Sequence, residues 1–275
     1  MAPLYLPKFV KKIINTSIND IPEINSRISK IISKEPKISI AVIAWNEEKN
    51  ILKCLNSLSY QKTNFGIEII VIDNNSTDNT FKLAEQCGVK VIKESKQGYG
   101  FARQAGLTNA QGEILLSADA DCIYPPHWAN SLAGYLLSHP NYSSSYSRFS
   151  YFPEKNESRF SLAIYEWAKD FMGLIRHINR PEQNAGGASF AMRKKWAIEI
   201  NYPMDGERGE DGRMAYALSK KGKIKYLTSN KSRIWTGTRS LQREGNIISN
   251  IISKVWKELK RSKEYLFKEK NDYNR

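Results

Sequence analysis

Leu115-Leu116-Ser117-Ala118-Asp119-Ala120-Asp121 decides how the rest of the chain is read: an apolar run enters it and two carboxylates leave it, one residue apart. Cys122-Ile123-Tyr124-Pro125-Pro126 follows, and the paired prolines bar regular helix and force a turn. A buried strand delivering two acidic groups into a loop suits a hard divalent cation held against a phosphate-bearing ligand. Mg2+ and Mn2+ take oxygen ligands, typically one or two carboxylates, with substrate phosphates and water completing the shell. An isolated Asp-x-Asp is equally well a strand ending in an acidic turn, so the flanking sequence has to choose.

Upstream, Ile38-Ser39-Ile40-Ala41-Val42-Ile43-Ala44 is β-branched and continuously apolar, the character of a strand buried on both faces of a parallel sheet. Trp45-Asn46-Glu47-Glu48-Lys49-Asn50 comes next, then Ile51, Leu52, Leu55 and Leu58 at helical spacing, which completes half of a βα unit. A second unit runs from Glu68-Ile69-Ile70-Val71-Ile72 through the polar loop Asp73 to Thr80 into a helix holding Phe81, Leu83 and Ala84. Val89-Lys90-Val91-Ile92 predicts a third strand and Glu113-Ile114-Leu115-Leu116-Ser117 a fourth. Between them, the loop Lys96 to Gly106 carries glycines into a helix. It lacks the third glycine of a dinucleotide fingerprint, and it has no Walker lysine.

In an open α/β sheet the ligand crevice lies outside the carboxyl ends of the strands. Three successive strand-end loops here carry acidic or amide groups: Trp45-Asn46-Glu47, Asp73 to Asp78, and Asp119-Ala120-Asp121. Taken singly, each is a turn or a helix cap, Asp78 especially.

The chain has 275 residues, 41% hydrophobic and 25% charged, enough for one large domain with appendages. Its formal net charge of +14 attracts an anionic partner: nucleic acid, a membrane surface or a phosphorylated substrate. Cys54, Cys87 and Cys122 lack metal-ligand spacing and read as buried free thiols, which points to a reducing, cytosolic setting. No run approaches the ~18 apolar residues of a membrane span, and Met1-Ala2-Pro3 opens no signal peptide. Residues 1–36 form a helical extension: Asn19-Asp20 caps, Pro22 sits in the first turn, and Ile21, Ile24, Ile28, Ile31 and Ile32 make one stripe.

The order Ala-Trp-Asn-Glu-Glu (44–48), Val-Ile-Asp-Asn-Asn-Ser-Thr-Asp (71–78), Gly-x-Gly-x-Ala-Arg-x-x-Gly (98–106) and Ala-Asp-Ala-Asp (118–121) resembles the nucleotide-binding half of a family 2 glycosyltransferase. The resemblance implies the GT-A fold over residues 37–245: one α/β domain on a mostly parallel, Rossmann-like sheet flanked by helices. It implies an inverting, non-processive transfer from a nucleotide-diphospho-sugar, UDP favoured, to a saccharide or lipid-linked acceptor, with Mn2+ or Mg2+ as cofactor.

It also distributes roles. Trp45 would stand against the base, although a core tryptophan is the other reading, and Glu47 would contact the nucleoside. Asp73 would accept a hydrogen bond from the base. Arg103 matches a basic position beside the nucleotide, or is a helix-surface arginine. Asp119 would meet the ribose or a metal-bound water, and Asp121 would ligate the metal. Asn184-Ala185-Gly186-Gly187-Ala188-Ser189 resembles the glycine-rich strand entry beneath the donor sugar, with Gly187 allowing close approach. Gly209-Glu210-Asp211 resembles the motif whose aspartate is the general base: Asp211 would take the acceptor proton, and Glu210 would orient the acceptor. Acids at a helix N-terminus are otherwise commonplace. Trp235-Thr236-Gly237-Thr238-Arg239 lies where the family closes a loop over the diphosphate, with Arg239 and Arg243 as phosphate contacts.

Tyr142, Tyr146, Phe149, Tyr151 and Phe152 suggest a strand on the acceptor side. The helix with Phe160, Leu162, Ile164, Trp167, Ala168 and Phe171 is either core or an apolar acceptor wall, and core is favoured. Residues 246–275 read as a basic amphipathic helix able to lie on an anionic membrane, which would place the enzyme peripherally on the inner face. Alternative readings are a sugar-phosphate nucleotidylyltransferase, an inactive scaffold and a basic nucleic-acid-binding protein. The acidic strand ends and the lack of any nucleic-acid-binding motif argue against nucleic acid as a partner.

Overall fold

The computed structural model describes residues 1–155, 157–205 and 209–242. Arg243 and the proposed 246–275 helix lie outside the described residues. In chain order the elements are α1 (Lys8–Ile14), α2 (Ile21–Ile31), β1 (Ile38–Ala44), α3 (Ile51–Leu58), β2 (Ile67–Asp73), α4 (Thr80–Gln86) and β3 (Lys90–Lys93). Next come α5 (Tyr99–Asn109), β4 (Ile114–Asp119), β5 (Cys122–Ile123), α6 (Trp128–Ser138), β6 (Tyr142–Ser147), β7 (Phe149–Phe152) and α7 (Arg159–Asn179). The chain continues through β8 (Phe190–Arg193), α8 (Lys194–Ile200), α9 (Glu210–Ser219), β9 (Lys223–Leu227), β10 (Ile234–Gly237) and α10 (Arg239–Gln242).

Seven strands form one sheet in the order β3-β2-β1-β4-β8-β6-β9. The pairs around β1 and β2 are parallel, as is β6 with β9, while β8 runs antiparallel to both of its neighbours. Burial on both faces accounts for the unbroken apolar run of β1. Its Ile38, Ile40, Val42 and Ala44 enter one core with Leu52 and Leu55 of α3 and Leu132 and Leu136 of α6. Ala41 and Ile43 enter the other, with Leu107 of α5, Met214 and Leu218 of α9. Each fully buried Leu or Ile is worth about 1.5–3 kcal/mol, so these two layers fix where the strand ends point.

The extension packs on the domain. Ile24 and Ile28 of α2 join the first core. Helix α1, which the sequence reading did not separate, sets Val10 and Ile13 against Ile123, Phe152 and Trp235 of a small second sheet ordered β5-β10-β7. That sheet also splits the aromatic run after Pro140: β6 belongs to the main sheet and β7 to the small one.

Helix α7 corrects the expectation of a core helix. Leu162, Tyr165 and Met172 are buried, yet Phe160, Ile164, Phe171, Leu174 and Ile178 are exposed. Its acids point inward instead. Glu166 accepts from Ser150 Oγ (2.7 Å), the Tyr151 amide and Arg159, and Asp170 accepts from Arg233 Nη2 (2.6 Å). Buried ion pairs join the apolar packing of Leu162 and Tyr165 against Tyr151 and Leu241 in holding the inner face of this helix.

Candidate active site

The first strand-end loop is built by hydrogen bonds to the second. Asn46 adopts φ +53°, a left-handed conformation that asparagine tolerates. Its Oδ1 accepts from the Thr77 amide (2.8 Å), and the Glu47 amide donates to Thr80 Oγ1 (2.8 Å). Asp78 stands one residue ahead of the N-cap Asn79 of α4, accepting from the Thr80 amide (2.9 Å) and from the Glu48 amide of the first loop (3.1 Å). Asn74, just past β2, ties in the glycine loop: its Nδ2 donates to the Lys96 carbonyl (2.7 Å), and its Oδ1 accepts from the Gly98 amide (2.8 Å).

Together these loops enclose a cavity of about 360 Å3 lined by Trp45, Glu47, Asn74, Tyr99, Asp121 and Arg239, among others. It is of a size to hold a small ligand. Trp45 is 53% exposed, so it is a wall of the cavity and not a core residue. Arg239, at the start of α10, donates to Glu47 and, at 3.2 Å, to Asp121 Oδ2. Burial first, then the carboxylates of Asp119 and Glu47, push the Asp121 carboxyl up to about 6.

Asp119 also lines the cavity and leads out of it. Its amide donates to Tyr124 Oη (2.8 Å), and that hydroxyl donates in turn toward the carbonyls of Asp119 (3.2 Å) and Ala188 (3.1 Å). Tyr124 therefore fastens the Asp-x-Asp turn to the Gly187 segment. Arg103 is the buried connector. Its Nη1 donates to the Ala118 carbonyl (3.0 Å), its Nη2 donates to Asp119 Oδ1 (2.6 Å), and its Nε stands 3.4 Å from Asp211 Oδ1.

Asp211 sits in the first turn of α9 beside Glu210. Burial raises its carboxyl to about 7; Arg103 pulls it down, while Glu210 and Asp119 push it up. Gly187 closes the group from below. A Cβ there would fall 1.9 Å from Arg103 Nη2 and 2.3 Å from Asp211 Oδ2, so only glycine fits without displacing the pair.

The predicted residues thus fall into two connected sets. Trp45, Glu47, Asp119, Asp121 and Arg239 line the cavity, and Arg103, Gly187 and Asp211 form the buried group behind Asp119, with Glu210 beside Asp211. Asp73 is separate from both: it is buried, does not line the cavity, and its Oδ1 has no hydrogen-bond partner. Asn74, Gln97 and Tyr99 line the cavity without having been singled out. The signal for Gln97 and Tyr99 is the glycine loop, which has no nucleotide fingerprint; Asn74 belongs to the acidic loop 73–78 and reaches that glycine loop by its side chain.

Among the described residues, no group of three or more His, Cys, Asp or Glu side chains is arranged to hold a metal ion. The two carboxylates of the Asp-x-Asp turn, Asp119 and Asp121, both line the cavity and offer only oxygen. They fit a hard cation that takes the rest of its shell from a diphosphate and water.

A seven-stranded, mostly parallel sheet flanked by helices, with acidic loops at its strand ends, is the architecture of the GT-A fold. A model described as Glycosyl transferase family 2 matches residues 39–200, and the chain belongs to that family. Membership decides against the nucleotidylyltransferase reading. Glycosyltransferase AglE of Haloferax volcanii is 33% identical over 102 residues, 34% of this chain and 33% of that protein. In two further curated relatives the match spans 30% and 29% of their length. Among solved structures, S. aureus TarS 1-349 in complex with UDP matches with a TM-score of 0.58 at 19% identity, covering 86% of this chain and 73% of that one. Mannosyltransferase PcManGT from Pyrobaculum calidifontis, in complex with GDP-Man and Mn2+, matches with a TM-score of 0.55 at 16% identity, covering 90% and 75%.

Proposed function

We propose that residues 37–245 transfer a sugar from a UDP-sugar to the hydroxyl of a saccharide or lipid-linked acceptor, with inversion at the sugar carbon and one sugar added per encounter. The observation that carries this reading is the link from Asp121 and Asp119 in the cavity, through Arg103, to Asp211 behind it. Solved relatives bound to UDP, and to GDP-Man with Mn2+, support a nucleotide-sugar donor.

Trp45 offers a face on which a base stacks, and Arg239 supplies the cation that meets the diphosphate. Asp121, with Asp119, would hold the divalent metal, which supplies charge neutralisation to the leaving diphosphate. Asp211 takes the proton of the acceptor hydroxyl. A carboxylate near neutrality is matched to that task, and Arg103 keeps it in place and favours its charged form. Glu210 orients the acceptor beside it. No covalent intermediate is required for inversion.

The test is the stereochemistry of slow donor hydrolysis, followed by proton NMR with UDP-glucose and UDP-N-acetylglucosamine. Inversion requires the β-anomer of the sugar to appear first. Initial release of the α-anomer would refute the single-displacement reading.

A further inference from the structure

Helix α7 turns its charges inward and its hydrocarbon outward. Phe160, Ile164, Trp167, Phe171, Leu174 and Ile178 follow one another at spacings of four and three, so they share one face of a helix. Five of the six are 45–71% exposed, and that face carries no charged residue from end to end. Over 18 residues at 1.5 Å each, the stripe is about 27 Å long. The acids of the same helix, Glu166 and Asp170, are buried in ion pairs with Arg159 and Arg233. The exposed stripe is therefore additional to the apolar side chains that this helix buries, Leu162, Tyr165 and Met172.

The apolar surface broadens at the amino end of the helix. Trp167 Nε1 donates to the Ala2 carbonyl (2.8 Å) and Arg159 Nη2 to the Pro3 carbonyl (2.6 Å), which pins the start of the chain beside α7. Leu4 and Tyr5, which come next, are 47% and 75% exposed. The exposed lysines Lys8, Lys11 and Lys12 follow within the next turns.

We propose that α7 and residues 1–5 form a surface that lies on an anionic lipid bilayer, with the α7 stripe entering the acyl boundary. Contiguous exposed apolar patches mark interaction surfaces, and Trp, Phe and Leu make up the face that an interfacial helix sets into the acyl boundary. Charge selects the partner. Two copies of a chain carrying +14 repel one another, whereas anionic headgroups attract it. The proposal stands apart from the donor reading, because lipid contact needs neither nucleotide nor metal.

The experiment is flotation of the full chain with phosphatidylcholine vesicles and with vesicles of phosphatidylcholine mixed with phosphatidylglycerol, whose headgroups supply the negative surface potential that attracts basic segments, comparing wild type with Phe171→Glu/Ile178→Glu. Both positions are exposed, so the melting temperature should stay unchanged. Wild type should float with the anionic vesicles and the variant should partition at least tenfold less. A Phe171→Cys variant, labelled with an environment-sensitive dye, should blue-shift on the same vesicles; the three native thiols are buried. Failure of wild type to float, flotation of the double variant like wild type, or a wild-type dimer that the double variant splits would each overturn the proposal.

Discussion

Arg103 and Asp211 form a buried pair, Nε to Oδ1 at 3.4 Å, although they are 108 positions apart in the chain. The same guanidinium holds Asp119 at 2.6 Å. One cation therefore sets the positions of a carboxylate on the donor side and of a carboxylate assigned to the acceptor.

Replacing that cation should damage both. In Arg103→Met, Asp119 and Asp211 lose their shared counter-charge, and breaking a buried pair in this way costs about 3–5 kcal/mol. Thermal melting should show the loss. In protein that remains folded, the inflection of the pH–rate profile should move up, because the group that draws the Asp211 carboxyl down is gone.

Gly187→Ala separates binding from turnover. Its Cβ would displace Asp211 Oδ2 and Arg103 Nη2, the atom that holds Asp119 at the edge of the cavity, while Trp45, Glu47, Asp121 and Arg239 are not among the atoms it meets. UDP affinity should stay within a few-fold of wild type and transfer should fall about a hundredfold, the scale of a lost general base. Equal losses in calorimetric affinity and in rate would contradict this placement of Gly187.

The pH dependence follows from Asp211 at about 7. Transfer should rise with pH through that value, since the base must be ionised. Stability should run the other way. The folded carboxyl binds its proton more tightly than the unfolded one, so its contribution is full below the unfolded value of about 3.9 and is lost as pH rises through about 7. Melting temperatures of wild type and Asp211→Asn, compared from pH 4 to 8, should diverge in favour of the variant as pH rises.

Tyr124→Phe tests how the Asp-x-Asp turn is held. The hydroxyl serves the Asp119 amide and two carbonyls in a buried setting. Its loss removes the acceptor of the Asp119 amide and a donor shared by the two carbonyls, a cost of about 1–3 kcal/mol, readable by denaturant unfolding.

Much of this was legible because both faces of the sheet are buried. Unbroken runs such as Ile38 to Ala44 announced parallel strands, and their polar ends announced the loops that now line the cavity. Arg103 was placed near the nucleotide, but its bond to Asp211 spans elements that only tertiary packing brings together. The outward face of α7 was misread for a related reason. Helical periodicity shows that a stripe exists, and it does not show which side meets the protein. Here the buried ion pairs of Glu166 and Asp170 decided the side. Tyr99 lies in a glycine loop with no charge pattern that suggests a ligand, and Asn74 lies in the loop 73–78, whose carboxylates carry the stronger signal.

The central claim is a nucleotide site whose cation is held by Asp121. Calorimetric titration of UDP into the full chain, with and without Mn2+, for wild type and Asp121→Asn, tests it most directly. The account predicts UDP binding that strengthens at least tenfold with Mn2+ in wild type and shows no Mn2+ effect in the variant. UDP binding of equal strength in all four titrations, or none in any, would contradict it.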